Sequence, residues 1–447
     1  LTPPVARFLH PDFEGNSMAN PSAFNGTRRH FLRNSLAVGA AALPLSQMAQ
    51  AAPAAGDGDL PASIRALKPV AAQVVPIGND ERMARVARAQ QLMGQHGIDV
   101  LFIGAGSSLT YFTGMHWWNS ERLTGVLLPR SGELVYVTPE FERGRTLEQI
   151  KLGNDVRGWQ EDEDPYALVA RVVRDMGHAT GVIGMEETVP FFRAKGIMDA
   201  LPQARVVDAW PVSAGCRRVK SPAELALMKL ANANTLAVYE AVWKALQPGM
   251  TEQDISGLVA MAYARTGLRG DADVNIGKYT ASPHGSDKPQ HLVEGTPIIF
   301  DGGCRADGYT SDMTRTVVLG QPSDEIRRIF DIVLQAQTAA LKVARPGVTM
   351  SAVDGAARKV ISDAGYGPDF RYFSHRLGHG IGLDMHEWDY LVRGNQHVLE
   401  PGMTFSDEPG IYLPDQFGVR LEDILYVTED GAALMTPQSP SIDQPFG

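Results

Sequence analysis

The sequence predicts two domains: an α/β domain over residues 79–212, and an α+β domain over residues 213–447 with pseudo-twofold symmetry and helices on one face of a curved sheet. Three observations carry this reading. The chain has 447 residues, more than one ordinary hydrophobic core serves. Short apolar runs alternate with helical stretches through its first half. In the second half, helix, Pro248-Gly249-Met250-Thr251, helix is echoed by helix, Pro346-Gly347-Val348-Thr349, helix, each copy beside strands that carry acidic residues.

Composition narrows the class. Hydrophobic residues make up 44% and charged residues 21%, as in a globular protein with a packed core. The formal net charge of -10 weighs against nucleic acid as a partner, which needs clustered Lys and Arg to displace counterions. Only Cys216 and Cys304 are present, so there is no disulfide framework, although one bridge stays open.

Residues 1–51 read as an N-terminal extension and export signal. Thr27-Arg28-Arg29-His30-Phe31-Leu32 is a twin-arginine pattern, and an apolar run from Ser35 to Leu45 follows. Ala49-Gln50-Ala51 then offers a small-x-small cleavage site. That run is too short for a standard membrane span, so no stable membrane insertion is expected. The expected location is the periplasm, reached folded by the twin-arginine route. Residues 52–78, rich in Ala, Pro and Gly, read as a linker or wrapping arm.

The first helix should cover Asn79 to Gly97, with Asp80 as N-cap and Met83, Val86, Ala87, Leu92 and Met93 as its apolar stripe. A buried strand Val100–Ile103 and a hairpin of Thr124–Leu128 with Glu133–Val137 follow. Then come a helix from Pro165 to Met176, a strand Gly181–Met185, a helix near Phe191 to Leu201 and a strand around Arg205–Val207. Cys216 to Glu224 marks the boundary between domains. Ser221 caps a long helix there, with Pro222 in its first turn and Glu224 closing a capping box.

The chemistry lies beyond that boundary. Asp301 ends the apolar run Ile298-Ile299-Phe300, and Asp312 follows eleven residues later. Gly378-His379-Gly380, Asp407-Glu408-Pro409-Gly410 and Arg420-Leu421-Glu422 complete the set. Carboxylates in such apolar segments are costly unless paired or bound to metal. Four carboxylates and one imidazole that converge can hold two divalent cations, and hard oxygen donors with one histidine suit Mn, Co, Zn or Fe(II).

These segments resemble the M24 metallopeptidases, on the Asp301/Asp312 spacing, Gly378-His379-Gly380, Glu408-Pro409-Gly410 and Arg420-x-Glu422. The resemblance covers about residues 220–435. It implies the pita-bread fold, an α+β domain with a curved antiparallel sheet. Residues 80–212 are similar to the N-terminal domain of the proline-specific and creatinase-like branches. Carried over, the resemblance implies that Asp301 chelates one metal, Asp312 and Glu422 bridge the pair, and His379 and Glu408 complete the other. Glu408 would also relay a proton between a metal-bridging hydroxide and the leaving nitrogen. His386, seven residues after His379, would contact substrate, as would His284, seventeen before Asp301. Arg420 would touch either substrate or the metal-site carboxylates. The cofactors implied are two divalent ions, manganese first, with cobalt, zinc or iron as alternatives.

The resemblance points to an Xaa-Pro aminopeptidase or dipeptidase (prolidase) acting on short proline-containing peptides, as a homodimer. Trp388 and Tyr390 either wall a proline ring or pack the domain. Trp117 and Trp118 either reach a neighbouring subunit or fill the core. His375 and His291 are further cleft candidates that no spacing argument selects. A dipeptidase needs positive charge near the substrate carboxylate, and an aminopeptidase needs an open channel there. A same-fold lyase or hydrolase acting on dimethylsulfoniopropionate or an organophosphate is the alternative, and a catalytically inactive binding protein is another.

Overall fold

The computed structural model describes residues 60–446. The twin-arginine pattern, the apolar run after it, the cleavage site and the first part of the linker lie outside the described residues. Among the described residues, no helix is long and apolar enough to cross a membrane.

Residues 60–78 lie along the second domain before the first begins. A single turn, α1 (Ala62–Arg65), buries Ile64 completely. Ser63 Oγ donates to Ala241 O at 2.7 Å, the Val70 N–H to Thr266 O at 2.8 Å, and the Ile77 N–H to Asp307 Oδ2 at 3.0 Å.

The first helix, α2 (Asn79–His96), starts two residues earlier than an Asp80 cap requires. Gly78 occupies the cap without a side-chain bond, and Asp80 sits in the first turn, where its negative charge is favoured by the positive end of the helix dipole. The buried face also differs from the apolar stripe. Met83 and Ala87 are exposed, while Arg85, Ala89, Leu92 and Met93 are buried. The reason is electrostatic. Arg85 Nη2 reaches Tyr309 OH at 3.0 Å, Glu81 at 2.7 Å and Glu224 of the second domain at 3.4 Å.

Six strands follow: β1 (Val100–Gly104), β2 (Gly125–Pro129), β3 (Val135–Pro139), β4 (Asp155–Trp159), β5 (Val182–Met185) and β6 (Arg205–Asp208). They form one mixed sheet in the order β4-β3-β2-β1-β5-β6. Its helices are α3 (Ser107–Thr113), α4 (Arg143–Gln149), α5 (Pro165–Asp175), α6 (Phe191–Ala200) and α7 (Trp210–Arg217). The sequence reading did not anticipate α3, α4, β4 or α7. The first of these reads Leu-Thr-Tyr-Phe-Thr, whose residues favour strands in isolation. The boundary drawn at 212/213 falls inside α7, which packs on α2.

The second domain opens with α8 (Pro222–Trp243), where the Ser221–Glu224 capping box forms in both directions. After it come α9 (Glu252–Thr266), β7 (Arg269–Ile276), β8 (Pro297–Ala306), β9 (Tyr309–Thr310) and β10 (Met313–Val318). The second half contains α10 (Asp324–Val343), α11 (Met350–Asp363), β11 (Gly378–Gly380), β12 (Glu387–Leu391), β13 (Thr404–Asp407), β14 (Gly410–Leu413), β15 (Phe417–Arg420), β16 (Asp423–Val427) and β17 (Ala432–Leu434). The sheets β10-β8-β7 and β12-β11-β13-β16-β17 are antiparallel throughout. The Glu422 N–H joins them by donating to Thr314 O at 3.1 Å.

The echo between halves extends to individual backbone bonds. Gly249 N–H donates to Leu292 O and Leu292 N–H returns to Met250 O, both at 2.8 Å. Gly347 with Leu399, and Leu399 with Val348, repeat this at 2.9 Å. Asp301 lies nine residues after Leu292, and Glu408 nine after Leu399. The two carboxylates are therefore counterparts.

The second half has its own apolar core, built on Ile329, Phe330, Phe405 and Leu425. The core of the first half is continuous with the inner face of the N-terminal domain, joining Leu101, Met93 and Cys216 to Leu227, Val259 and Phe300. The two domains therefore share buried surface as well as ion pairs. Cys216 and Cys304 are both buried and unbridged.

Arg85→Met should leave the Glu224 carboxylate buried without its cation. Loss of one partner from a buried pair costs about 3–5 kcal/mol, measurable by denaturant unfolding. A loss under about 1 kcal/mol would show that the pair behaves as a surface bridge.

Candidate metal centre

All eight residues singled out from sequence line one cavity of about 460 Å³: Asp301, Asp312, His379, Glu408, Glu422, His386, His284 and Arg420. His375 lines it as well, and His291 does not. A larger groove of about 730 Å³ opens between α2 and the start of α8. Its buried charges are already paired, Arg85 with Glu224 and Lys220 with Glu387.

Strand geometry brings the acids together. Asp301 sits midway along β8, Asp312 just before β10, Glu408 just after β13, and Glu422 between β15 and β16. His379 is the centre of β11, whose flanking glycines have a steric reason. A Cβ on Gly378 would lie 1.9 Å from Ser406 O, and one on Gly380 2.3 Å from Trp388 O. Only glycine lets β13 and β12 close on both sides of this histidine.

Donor atoms gather in overlapping groups. Asp301, Asp312 and Glu422 form one, His379, Glu408 and Glu422 another, and Asp312, His379 and His386 a third, each within 4.8 Å. His379 Nε2 lies 3.4 Å from Glu408 Oε1 and 3.8 Å from Asp312 Oδ2. His379 Nδ1 is 3.0 Å from Gly380 O. A carbonyl only accepts, so Nδ1 carries the proton and Nε2 offers its lone pair to the acids. Burial, then His386, lowers the His379 pKa to about 3, which keeps the ring neutral and ready to ligate.

The carboxylates oppose one another. Burial, then Asp301 and Glu408, pushes Asp312 well above the usual range. Burial, then Asp312 and Glu408, does the same to Glu422. Burial raises Glu408 to about 7, with Arg420 opposing and Asp301 adding to the rise. Such a set is relieved by bound cations. The donor set therefore fits divalent metal: hard oxygens, one unprotonated imidazole nitrogen and an excess of buried negative charge.

Several residues that orient the ligands were missed in the sequence. Thr314 Oγ1 lies 2.6 Å from Glu422 Oε2 and 3.1 Å from Asp301 Oδ1. Ser406 Oγ accepts from the His379 N–H at 2.9 Å and donates to Glu408 Oε1 at 3.1 Å. The signal was present, because Asp312 and Thr314, like Ser406 and Glu408, are two apart, and a strand turns such pairs to one face. Arg420 is two before Glu422 for the same reason. It donates to Asp301 Oδ2 at 2.6 Å, Thr314 Oγ1 at 3.0 Å, Pro283 O at 3.0 Å and Tyr412 OH at 3.0 Å, so most of its donors hold the site together. The Tyr412 hydroxyl in turn meets His375 Nε2 at 2.7 Å.

The open aromatic questions resolve differently for each pair. Trp388 and Tyr390 do not line the cavity. Arg217 lies over the Trp388 ring at 5.0 Å, and Arg376 over Tyr390 at 4.0 Å. Trp117 is buried and Trp118 is 60% exposed; the two stack at 5.8 Å with Arg145 over both rings.

Comparison with known proteins agrees with this geometry. Residues 226–429 match metallopeptidase family M24, and residues 85–219 match the creatinase/prolidase N-terminal domain. The probable dipeptidase PepE of Mycobacterium tuberculosis is 38% identical over 357 residues, covering 78% of this chain and 92% of the relative. The Xaa-Pro dipeptidase of Lactobacillus delbrueckii subsp. lactis is 32% identical over 366 residues, covering 79% and 97%. The crystal structure of dipeptidase PepE from Mycobacterium ulcerans superposes with a TM-score of 0.76 at 36% identity, covering 81% of this chain and 97% of that one. With its pita-bread domain, its creatinase/prolidase-type N-terminal domain and this acid-histidine cluster, the chain belongs to metallopeptidase family M24.

Proposed function

We propose that this enzyme is an Xaa-Pro dipeptidase using two divalent cations, held by Asp301, Asp312, His379, Glu408 and Glu422. The observation that carries the dipeptide reading is Arg376. Its side chain lines the same cavity as the acid cluster and rests on the Tyr390 ring. No carboxylate pairs with it among the described residues. A substrate carboxylate would complete that pairing with a charge-assisted bond, which a longer peptide does not offer at the same place. The names of the relatives, dipeptidase and Xaa-Pro dipeptidase, support the same substrate class.

Two cations are supported by the overlap of the donor groups. Asp301 stands at one end and His379 with Glu408 at the other, while Glu422 belongs to both groups. When bound, two such cations polarise the scissile carbonyl and make a water available as hydroxide near neutral pH. The protein's own groups do the rest. Glu408, which reaches into the cavity beside His379, can take a proton and give it to the proline nitrogen, which lacks a hydrogen until the bond breaks. His386 and His284 face the cleft as donors to the developing oxyanion. Arg420 keeps Asp301 aimed inward.

Export to the periplasm is supported by the Thr27–Leu32 pattern, and fractionation of cells producing the full chain tests it. A homodimer is supported by the exposed Trp118 ring on its stacked partner, and sedimentation of the Trp118→Ala variant tests that.

Metal-reloaded protein should release proline from Ala-Pro far faster than it releases alanine from Ala-Pro-Ala. Arg376→Ala should raise KM for Ala-Pro by about 10–100-fold, the worth of one charged hydrogen bond, and leave Ala-Pro amide nearly unchanged. Equal losses on acid and amide would remove Arg376 from carboxylate recognition.

Metal-stripped protein should lose stability as pH rises. The folded pKa of Glu408 is about 7 against an ordinary 4.5, so the folded state holds the proton more tightly. Its stabilising effect is present below 4.5 and lost between 4.5 and about 7. Melting temperature against pH, with and without Mn(II), measures this. Metal should abolish the fall, and His379→Ala should lower bound metal from about two ions per chain to about one.

A further inference from the structure

His386 has no fastening of its own. Its ring lies over His379 with centroids 3.9 Å apart, and it is exposed to the cleft. No side-chain hydrogen bond holds it to any described residue. Its place is therefore set by the backbone of residues 383–388, and that backbone is pinned from behind.

Glu387 is the pin. Its carboxylate is 3% exposed. Oε1 accepts the Leu383 N–H at 3.0 Å, the Asp384 N–H at 3.3 Å and Arg217 Nη2 at 2.6 Å. Oε2 accepts from Lys220 Nζ at 2.7 Å. Gly382 makes room for this, since a Cβ there would lie 2.8 Å from both Glu387 Oε1 and Lys220 Cε. Burial alone would raise the Glu387 pKa, but Lys220 and Arg217 together outweigh it and hold it at about 2. The group is charged at any working pH.

Lys220 reaches one oxygen of one carboxylate. Arg217 does more. Its Nη2 also donates to Asp384 Oδ2 at 2.7 Å, and its plane covers Trp388. Its Nη1 donates to Ser108 Oγ at 3.0 Å, which donates to Glu186 Oε1 at 2.8 Å. Ser107 Oγ donates to Asp384 as well. Ser107 and Ser108 open α3, and Glu186 follows β5, so the N-terminal domain holds the segment that carries His386 directly through Ser107 and indirectly through Ser108 and Glu186 behind Arg217.

We propose that Arg217 is a positioning residue for hydrolysis: through Glu387 and Asp384 it fixes the backbone carrying His386, and it makes the N-terminal domain a working part of the active site. The proposal rests on the dipeptidase reading above. Lysine cannot reproduce the forked contacts of this arginine.

The test is a double-mutant cycle on metal-loaded full chain with Ala-Pro as substrate. Arg217→Lys should lower kcat about 10–100-fold, the usual effect of removing an outer support, with bound metal unchanged and KM within about threefold. In a His386→Ala background the same change should cost less than about threefold more. Full multiplication of the two losses, or loss of metal, would overturn the proposal. Should Arg217→Lys fail to fold, Ser107→Ala spares the Glu387 ion pairs and must show the same non-additivity. Wild-type protein inert on Ala-Pro with metal bound would sink the substrate reading alone. Hydrogen exchange then decides the positioning claim: exchange of residues 383–388 accelerated by Arg217→Lys at unchanged global stability supports it, and unaltered exchange rejects it.

Discussion

Everything in the second domain answers to one electrostatic problem: several carboxylates are buried within contact distance of one another. Asp312 and Glu422 are almost wholly buried, and burial together with neighbouring carboxylates raises the proton affinity of both. No packing of side chains makes such a cluster favourable without positive charge. The polypeptide supplies part of it through Arg420, and fixes the remaining lone pairs with Thr314 and Ser406. The rest is left to metal. Strands suit this task better than loops because alternate residues share a face, so one strand delivers a ligand and its orienting hydroxyl together.

The duplicated architecture distributes that load. Asp301 and Glu408 occupy equivalent places after equivalent turns, and they stand at opposite ends of the donor cluster. Each half therefore contributes one outer end, and the shared middle comes from Asp312 and Glu422, where the two sheets meet through the Glu422–Thr314 bond. A cluster built at the seam between two half-domains is as rigid as the seam.

Much of this was legible in the sequence because metal ligands are chemically expensive. An acid inside an apolar run stands out, and so does a histidine between two glycines. The capping box at Ser221–Glu224 and the strands β1, β2, β3 and β5 were legible for similar local reasons. What escaped depends on contacts distant in the chain. Arg85 reads as a surface residue of an amphipathic helix until Glu224, 139 positions later, is brought beside it. Arg376 gains meaning only once the cavity exists. The helix α3 is composed of residues that favour strands, and its conformation is imposed by packing against β1 and α2. Tyr412 and His375 are linked by a hydrogen bond across 37 residues, with no spacing rule to join them.

The arm over residues 60–78 changes how the two domains can move. The chain touches the second domain at Ser63, Val70 and Ile77, passes through the whole N-terminal domain, and returns at Lys220. The N-terminal domain is thus held at both of its ends. A body attached at one point can swing in any direction, but a body attached at two can only turn about the line between them. The Arg85 and Arg217 clusters add ion pairs near both ends of the segment. Any rigid swing of the N-terminal domain would have to break the backbone bonds at both ends of the segment together with the Arg85–Glu224 and Arg217–Glu387 ion pairs.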